Sequence, residues 1–330
     1  NILTWMNTPR DIYDLAYQYL IVIFAGIPAT ILYNLLSGYL RSLGNSVIPV
    51  IFLIISAVLN IGLDLLFILT FHMGVFGAAF ATVLSQAISG VLCLIYIMKK
   101  ITLLHITRDD LQLSRQYVKN LIIMGFPMGF QYSITAIGSV ILQTAVNSLG
   151  STAVASMTAA SKISMFVVCP FDALGSTMAT YSGQNVGAGK FDRVKKGLVS
   201  ASLLGSIYAV AIFVVLFFSC NYLIYMFVSP DETDVIRQAH QFLLYNAAFY
   251  VPLVFVNTVR FAIQGMGFSG FAMFAGVAEM IARSLVGLAL VPVFGFSAAC
   301  FASPLAWIFA DSFLIPAFIH CLNKLKRTIS

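Results

Sequence analysis

Apolar positions in this chain fall into nine long runs, at 15–41, 47–71, 75–98, 120–149, 153–184, 198–228, 235–263, 270–292 and 296–320. Each run is of the order needed for a helix to cross a bilayer, roughly 17 to 25 residues. Strands of a membrane barrel would alternate apolar and polar positions over segments of about ten residues. These runs do not alternate, so the pattern predicts an all-α integral membrane protein with nine transmembrane helices.

The pattern also repeats. Residues from Pro9 to about Met98 lie on residues from Pro230 to about His320 with small gaps. Ala16 falls on Ala239, Gln18 on Gln241, Gly44 on Gly267 and Ser46 on Ser269; past a short gap, Gly74 falls on Gly295 and Ala81 on Ala302. In the second copy three runs precede the repeated unit, whereas the first copy opens at Asn1 in what corresponds to the end of the third. The expected parent therefore has twelve helices in two parallel six-helix halves, with about 120 residues upstream and nine of the twelve helices here. The expected layout is 1–98 as the second half of an N-terminal lobe, 99–119 as a linker, 120–323 as a C-terminal lobe and 324–330 as a tail.

Composition fits the same solvent: 60% of residues are hydrophobic and only 9% charged, with a mean hydropathy of +0.95. Positive charge sets orientation, because short cytoplasmic loops carry the excess of Lys and Arg. Lys99, Lys100, Arg108, Arg115 and Lys119 share one polar stretch, Lys190, Arg193, Lys195 and Lys196 another, and Lys324, Lys326 and Arg327 the tail. All three fall on one side, expected to be cytoplasmic, which puts Asn1 outside and Ser330 inside the cell's inner (plasma) membrane. The net charge of +6 is thus a topology signal, with no nucleic acid implied. The five cysteines are scattered through apolar runs and read as small core residues.

Chemistry is sought among polar groups at hydrocarbon depth, each of which costs about 2.5 to 3.5 kcal/mol to insert when charged. Asn60 and Asp64 are four residues apart and share a helix face. Asp64 lies about 10 Å from the outer helix end at Phe71, and Thr82 a similar distance down the returning helix. A carboxylate, an amide carbonyl and a hydroxyl at one level suit a hard cation such as Na+, or a proton on the acid. Packing between helices is the plainer explanation of the same residues. The second copy has Arg283, Gly287 and Ser303 at the equivalent positions, so the oxygen cluster is not duplicated with its scaffold.

These residues resemble the multidrug and toxic compound extrusion (MATE) family over the whole chain. The resemblance rests on Leu40-Arg41-Ser42-Leu43-Gly44-Asn45, Asn60-Ile61-Gly62-Leu63-Asp64, Gly74-Val75-Phe76-Gly77-Ala78-Ala79 and Gly183-Gln184-Asn185-Val186-Gly187-Ala188-Gly189-Lys190. Bacterial members of the NorM and DinF types are two-lobe bundles that exchange Na+ or H+ for cationic, amphipathic drugs. The resemblance implies a cation site at Asn60, Asp64 and Thr82, whose spacings match the family's, together with an Asp in a helix upstream of this sequence. The C-terminal acid of some NorM relatives falls on Thr135 here and is absent. The resemblance further implies a monomeric antiporter, with no cofactor beyond the coupling ion, acting on small amphipathic cations in a lipid bilayer.

Other polar residues within the runs are candidates for substrate handling or coupling: Glu279 and Arg283, spaced as an intrahelical ion pair, Asp172 beside Pro170, and Gln131. Lys162 is the candidate partner of Asp172, although ten residues is not a same-face spacing. Phe130, Tyr132, Met157, Met165 and Phe166 suit a soft wall for flat cations, though lipid and helix packing use the same residues. A lipid-linked oligosaccharide flippase is the alternative function, but it needs cationic side chains in its cavity, and the intramembrane cations here are few: Lys162, Arg260 and Arg283, with Arg41 near a helix end. An intramembrane enzyme is disfavoured, since His72, His105, His240 and His320 are scattered. Gly187-Ala188-Gly189-Lys190 is no phosphate loop, because no strand precedes it and no Ser or Thr follows the lysine.

Overall fold

A computed structural model of the chain describes residues 10–102, 112 and 114–329. It divides into two units, one ending at Leu113 and the other beginning at Ser114. Among the described residues every regular element is helical. Among the described residues seven helices are long and apolar enough to cross a membrane, or nine if each of two bent pairs is one span.

In the first unit, α1 (Arg10–Ala25) and α2 (Ile27–Ser42) meet at Gly26 in a 44° bend. Pro28 lies in the opening turn of α2, where its missing N–H is tolerated. Next, α3 (Val47–Leu65) continues through a π-helical turn, Leu66–Thr70, and α4 (Gly74–Lys100) packs back against it. Leu36 and Leu40 on α2 with Cys93 and Ile97 on α4 make a small core. No residue in the most apolar stretch of α3 is buried within the unit.

The second unit holds α5 (Arg115–Asn147), α6 (Ser151–Gly187) and α7 (Phe191–Ile224). The bent pair α8 (Thr233–Ala248) and α9 (Tyr250–Gly265) then turns by 54° at Phe249. It is followed by α10 (Ser269–Leu285), which runs on through a π-helical turn, Val286–Leu290, into the short α11 (Val291–Phe294), and by α12 (Phe296–Ile329). Phe171, Met178, Leu216, Tyr250 and Leu314 are among the large side chains fully buried in its core. Small residues let backbones close: a Cβ on Gly265 of α9 would sit 2.2 Å from the Ala179 carbonyl oxygen of α6, and one on Gly138 of α5 would sit 3.0 Å from Met280 Cα of α10.

The internal repeat survives in three dimensions. The register that lays Ala16 on Ala239 also lays the break at Gly26 on the break at Phe249. The turns after α2 and α9 are the same Schellman motif. Asn45 N–H donates to Leu40 O at 3.0 Å and Gly44 N–H to Arg41 O at 2.9 Å; Phe268 N–H donates to Ile263 O at 3.1 Å and Gly267 N–H to Gln264 O at 2.9 Å. Gly44 and Gly267 take φ of 84° and 90°, which the motif requires and glycine adopts without strain.

Helix ends differ from the apolar runs where polar residues extend a helix beyond hydrocarbon. α5 starts at Arg115 rather than 120, α7 at Phe191 rather than 198, and α12 reaches Ile329. Lys99, Lys100 and Lys119 therefore belong to helices, while Asp109, Asp110, Arg108 and His105 of the linker lie outside the described residues. Cys169 is exposed on α6, a correction to its reading as a core residue; the other four cysteines are buried. Lys326 Nζ on α12 lies 2.7 Å from Asp192 Oδ1 on α7, which brings the tail and the turn before α7 to one end of the second unit.

Candidate functional site

In the first unit the helical rise of α3 stacks Asn60 and Asp64 one turn apart, and α4 returns with Thr82 beside them. Asn60 Nδ2 donates to Thr82 Oγ1 at 3.5 Å, and Thr82 Oγ1 donates to the Ala78 carbonyl at 3.0 Å. The residue that meets Thr82 is thus Asn60 rather than Asp64, which stands a turn further along α3. Asp64 is half-buried, and its Oδ1 atom is buried without a hydrogen-bond partner. A buried carboxylate oxygen with an open lone pair, next to an amide and a hydroxyl, is a donor set that takes a hard cation or a proton. Farther along α4, Gln86 is hydrogen-bonded to Thr30 of α2, so the polar face of α4 continues past Thr82.

The second unit carries a denser network. Glu279 on α10 and Arg260 on α9 form an ion pair with side chains only 4% and 9% exposed. Arg283 lies one turn from Glu279 and holds it more loosely, with Nη2 3.7 Å from Oε2. The intrahelical pair expected from spacing is therefore the weaker half of a triad. Arg283 Nη1 reaches α5 instead, donating to Ser139 Oγ at 3.1 Å and to the Thr135 carbonyl at 3.4 Å.

Gln131 on α5 is buried and accepts a hydrogen bond from Gln264 Nε2 of α9 at 2.9 Å. Asp172 on α6 is exposed, and its Oδ1 accepts from Asn257 Nδ2 of α9 at 3.1 Å. Lys162 is not its partner: ten residues place it on a different face of α6, where its ammonium sits 5.8 Å from the centre of the Phe227 ring. Of the expected aromatic and methionine wall, Phe130, Tyr132, Met165 and Phe166 are exposed on the unit, and Met157 lines a cavity. That cavity, about 310 Å³, lies between α5, α6, α8, α9, α10 and α12 and has Arg283 in its wall.

Asp311 was not singled out from the sequence. It lies on α12 within electrostatic reach of Arg260 and Glu279, and its Oδ1 is buried without a hydrogen-bond partner. The signal was present, because Asp311 is a lone acid in the run 296–320, as Asp64 is in 47–71. Among the described residues no three His, Cys, Asp or Glu side chains gather as a metal cluster.

The MatE family model matches residues 1–66 and 127–291. The chain is 33% identical to the probable multidrug resistance protein YpnP of Bacillus subtilis over 78% of its own length and 57% of that protein's. It is 26% identical to the probable multidrug resistance protein YoeA of the same organism, over 76% of this chain and 55% of YoeA. It thus spans little more than half the length of these curated relatives. Among solved structures, a MATE in the bent conformation superposes with a TM-score of 0.87 at 22% identity, covering 99% of this chain and 73% of that one. A MOP superfamily transporter from Pyrococcus furiosus gives 0.89 at 20% identity, covering 100% and 74%.

Proposed function

The chain belongs to the MatE family, and from that premise we propose that the protein is an antiporter coupled to Na+ or H+ that exports amphipathic, cationic compounds by alternating access. The observation that carries the coupling is the buried, unpartnered Asp64 Oδ1 beside the Asn60–Thr82 hydrogen bond. In this reading Asn60, Asp64 and Thr82 hold the coupling ion, and its arrival biases the lobes toward one access state. The protein is a monomer in the plasma membrane, with its basic turns and tail on the cytoplasmic side, and it neither catalyses a covalent reaction nor binds nucleic acid. The multidrug names of YpnP and YoeA support the export of foreign compounds.

Oligosaccharide flipping is less well supported. It needs several free cations converging on a pyrophosphate, whereas Arg260 is taken by Glu279 and Lys162 lies over the Phe227 ring, which leaves Arg283 as a single, partly compensated guanidinium. Efflux of a fluorescent lipophilic cation from cells, under separately imposed sodium and proton gradients, tests the proposal. The expected result is gradient-driven efflux that is lost in a stably expressed Asp64→Asn variant. Efflux that persists unchanged in that variant would return Asp64 to a packing role, and no efflux under either gradient would favour the flippase.

A further inference from the structure

We propose that the second unit holds a binding site for a small organic carboxylate, in the cavity whose wall carries Arg283, Ser303 and Trp307. The repeat carries the first step. It lays Arg283 on Asn60, Ser303 on Thr82 and Gly287 on Asp64, so the same scaffold that groups oxygens in the first unit groups a guanidinium and a hydroxyl in the second. The acid at the Asp64 position is not replaced in the cavity wall. Gly287 packs against α5, with its Cβ position 3.5 Å from Leu142 Cα, and no Asp or Glu lines the cavity.

The charge of Arg283 is under-compensated. Glu279 commits Oε1 to Arg260, leaving Arg283 a 3.7 Å contact, and the hydrogen bonds of Arg283 run to neutral oxygens at Ser139 and Thr135. A guanidinium carries five N–H donors, and with both on Nη1 committed to Ser139 and Thr135 the Nε and Nη2 edge is the side left to match a carboxylate. Around it are further donors. Ser164 and Tyr250 line the cavity with their hydroxyl oxygens buried beside each other, and Ser161 and Ser303 add two more hydroxyl residues. Phe242, Trp307 and Met157 supply apolar wall for a flat body. The volume, about 310 Å³, is at the small end of ligand pockets, which selects a compact, singly charged aromatic or aliphatic acid.

This inference does not depend on the export reading, because its test reads binding alone. Trp307 stands in the cavity wall, so a background in which every other tryptophan of the full-length protein, Trp5 among them, is replaced by Phe makes Trp307 the reporter. Full-length protein in nanodiscs is titrated with benzoate, benzyl alcohol and benzylamine while Trp307 emission is followed. The expected result is saturable binding of benzoate, about tenfold or more tighter than of the neutral or cationic analogue, with a similar loss in Arg283→Gln. Because Arg283→Gln disturbs a buried network, Ser303→Leu is the second variant; it fills the cavity while keeping all three side chains of the ion triad and is expected to abolish binding. Equal affinity for benzyl alcohol, benzoate affinity retained in either folded variant, or no saturable response from the unsubstituted protein would overturn the proposal.

Discussion

Glu279 and Arg260, on adjacent helices of the second unit, form an ion pair from which water is almost wholly excluded. Removing one partner of such a pair leaves an uncompensated charge, at a cost of about 3 to 5 kcal/mol. The two removals are not equivalent here. Glu279→Ala strands two guanidiniums, whereas Arg260→Met leaves Glu279 with Arg283 as a second partner. Thermal denaturation in detergent is expected to rank Glu279→Ala as the less stable variant, and the Glu279→Ala/Arg260→Met double as more stable than the sum of those two singles. An additive double variant would mean the pair is not coupled in the folded protein.

Asp64 is expected to separate function from stability. Its buried Oδ1 has no partner, so that oxygen contributes desolvation cost without a compensating bond. Asp64→Asn is therefore expected to keep or raise the melting temperature, by up to about 2 kcal/mol of stability, while gradient-driven efflux falls. A drop of several degrees in the melting temperature would show that the carboxylate has a structural partner instead.

The matching Schellman turns provide an internal control on the repeat. Gly44→Ala and Gly267→Ala each force an L-residue to a positive φ, near 84° and 90°, with open space around the new methyl group. Each is expected to cost about 1 to 2 kcal/mol, from the backbone alone. Similar losses in both variants would be the signature of equivalent turns; a loss at only one would show that the neighbouring packing differs.

Close helix packing is expected to be steepest at Gly265. A methyl group there lies 2.2 Å from the Ala179 carbonyl oxygen, a backbone atom that yields only if α6 and α9 separate. Gly265→Ala should cost at least about 1 to 3 kcal/mol, as overpacking does. Gly62→Ala on α3 meets nothing within 4 Å and is expected to be neutral or to stabilise by about 0.5 to 1 kcal/mol, the usual gain of alanine over glycine inside a helix. Guanidinium or thermal unfolding of the two variants side by side checks the ordering.

Much of the architecture was legible before any coordinate. Helical spans follow from hydropathy because a bilayer demands internally satisfied backbone over a set length. The repeat follows from matched glycines and small residues, and its turns at Gly44 and Gly267 take the same form in the structure. Asn60 and Asp64 share a face by helical geometry alone, so their grouping needed no tertiary knowledge. The bends at Gly26 and Phe249 are subtler. Pro28 and Pro252 stand just beyond them, but a proline near a break does not set its angle.

Which side chains meet across helices was decided by the tertiary structure. Spacing along one helix pairs Glu279 with Arg283, yet the rotation of α9 against α10 gives the carboxylate to Arg260, nineteen residues away in sequence. The same packing turns Lys162 away from Asp172, brings Asn257 to it, and places Asp311 within reach of the triad. Periodicity and hydropathy are properties of one segment and determine where each helix lies and which face is polar. The rotation, tilt and closest approach of two helices depend on small residues and bulk on both, and these decide which buried charges are paired and where a cavity remains.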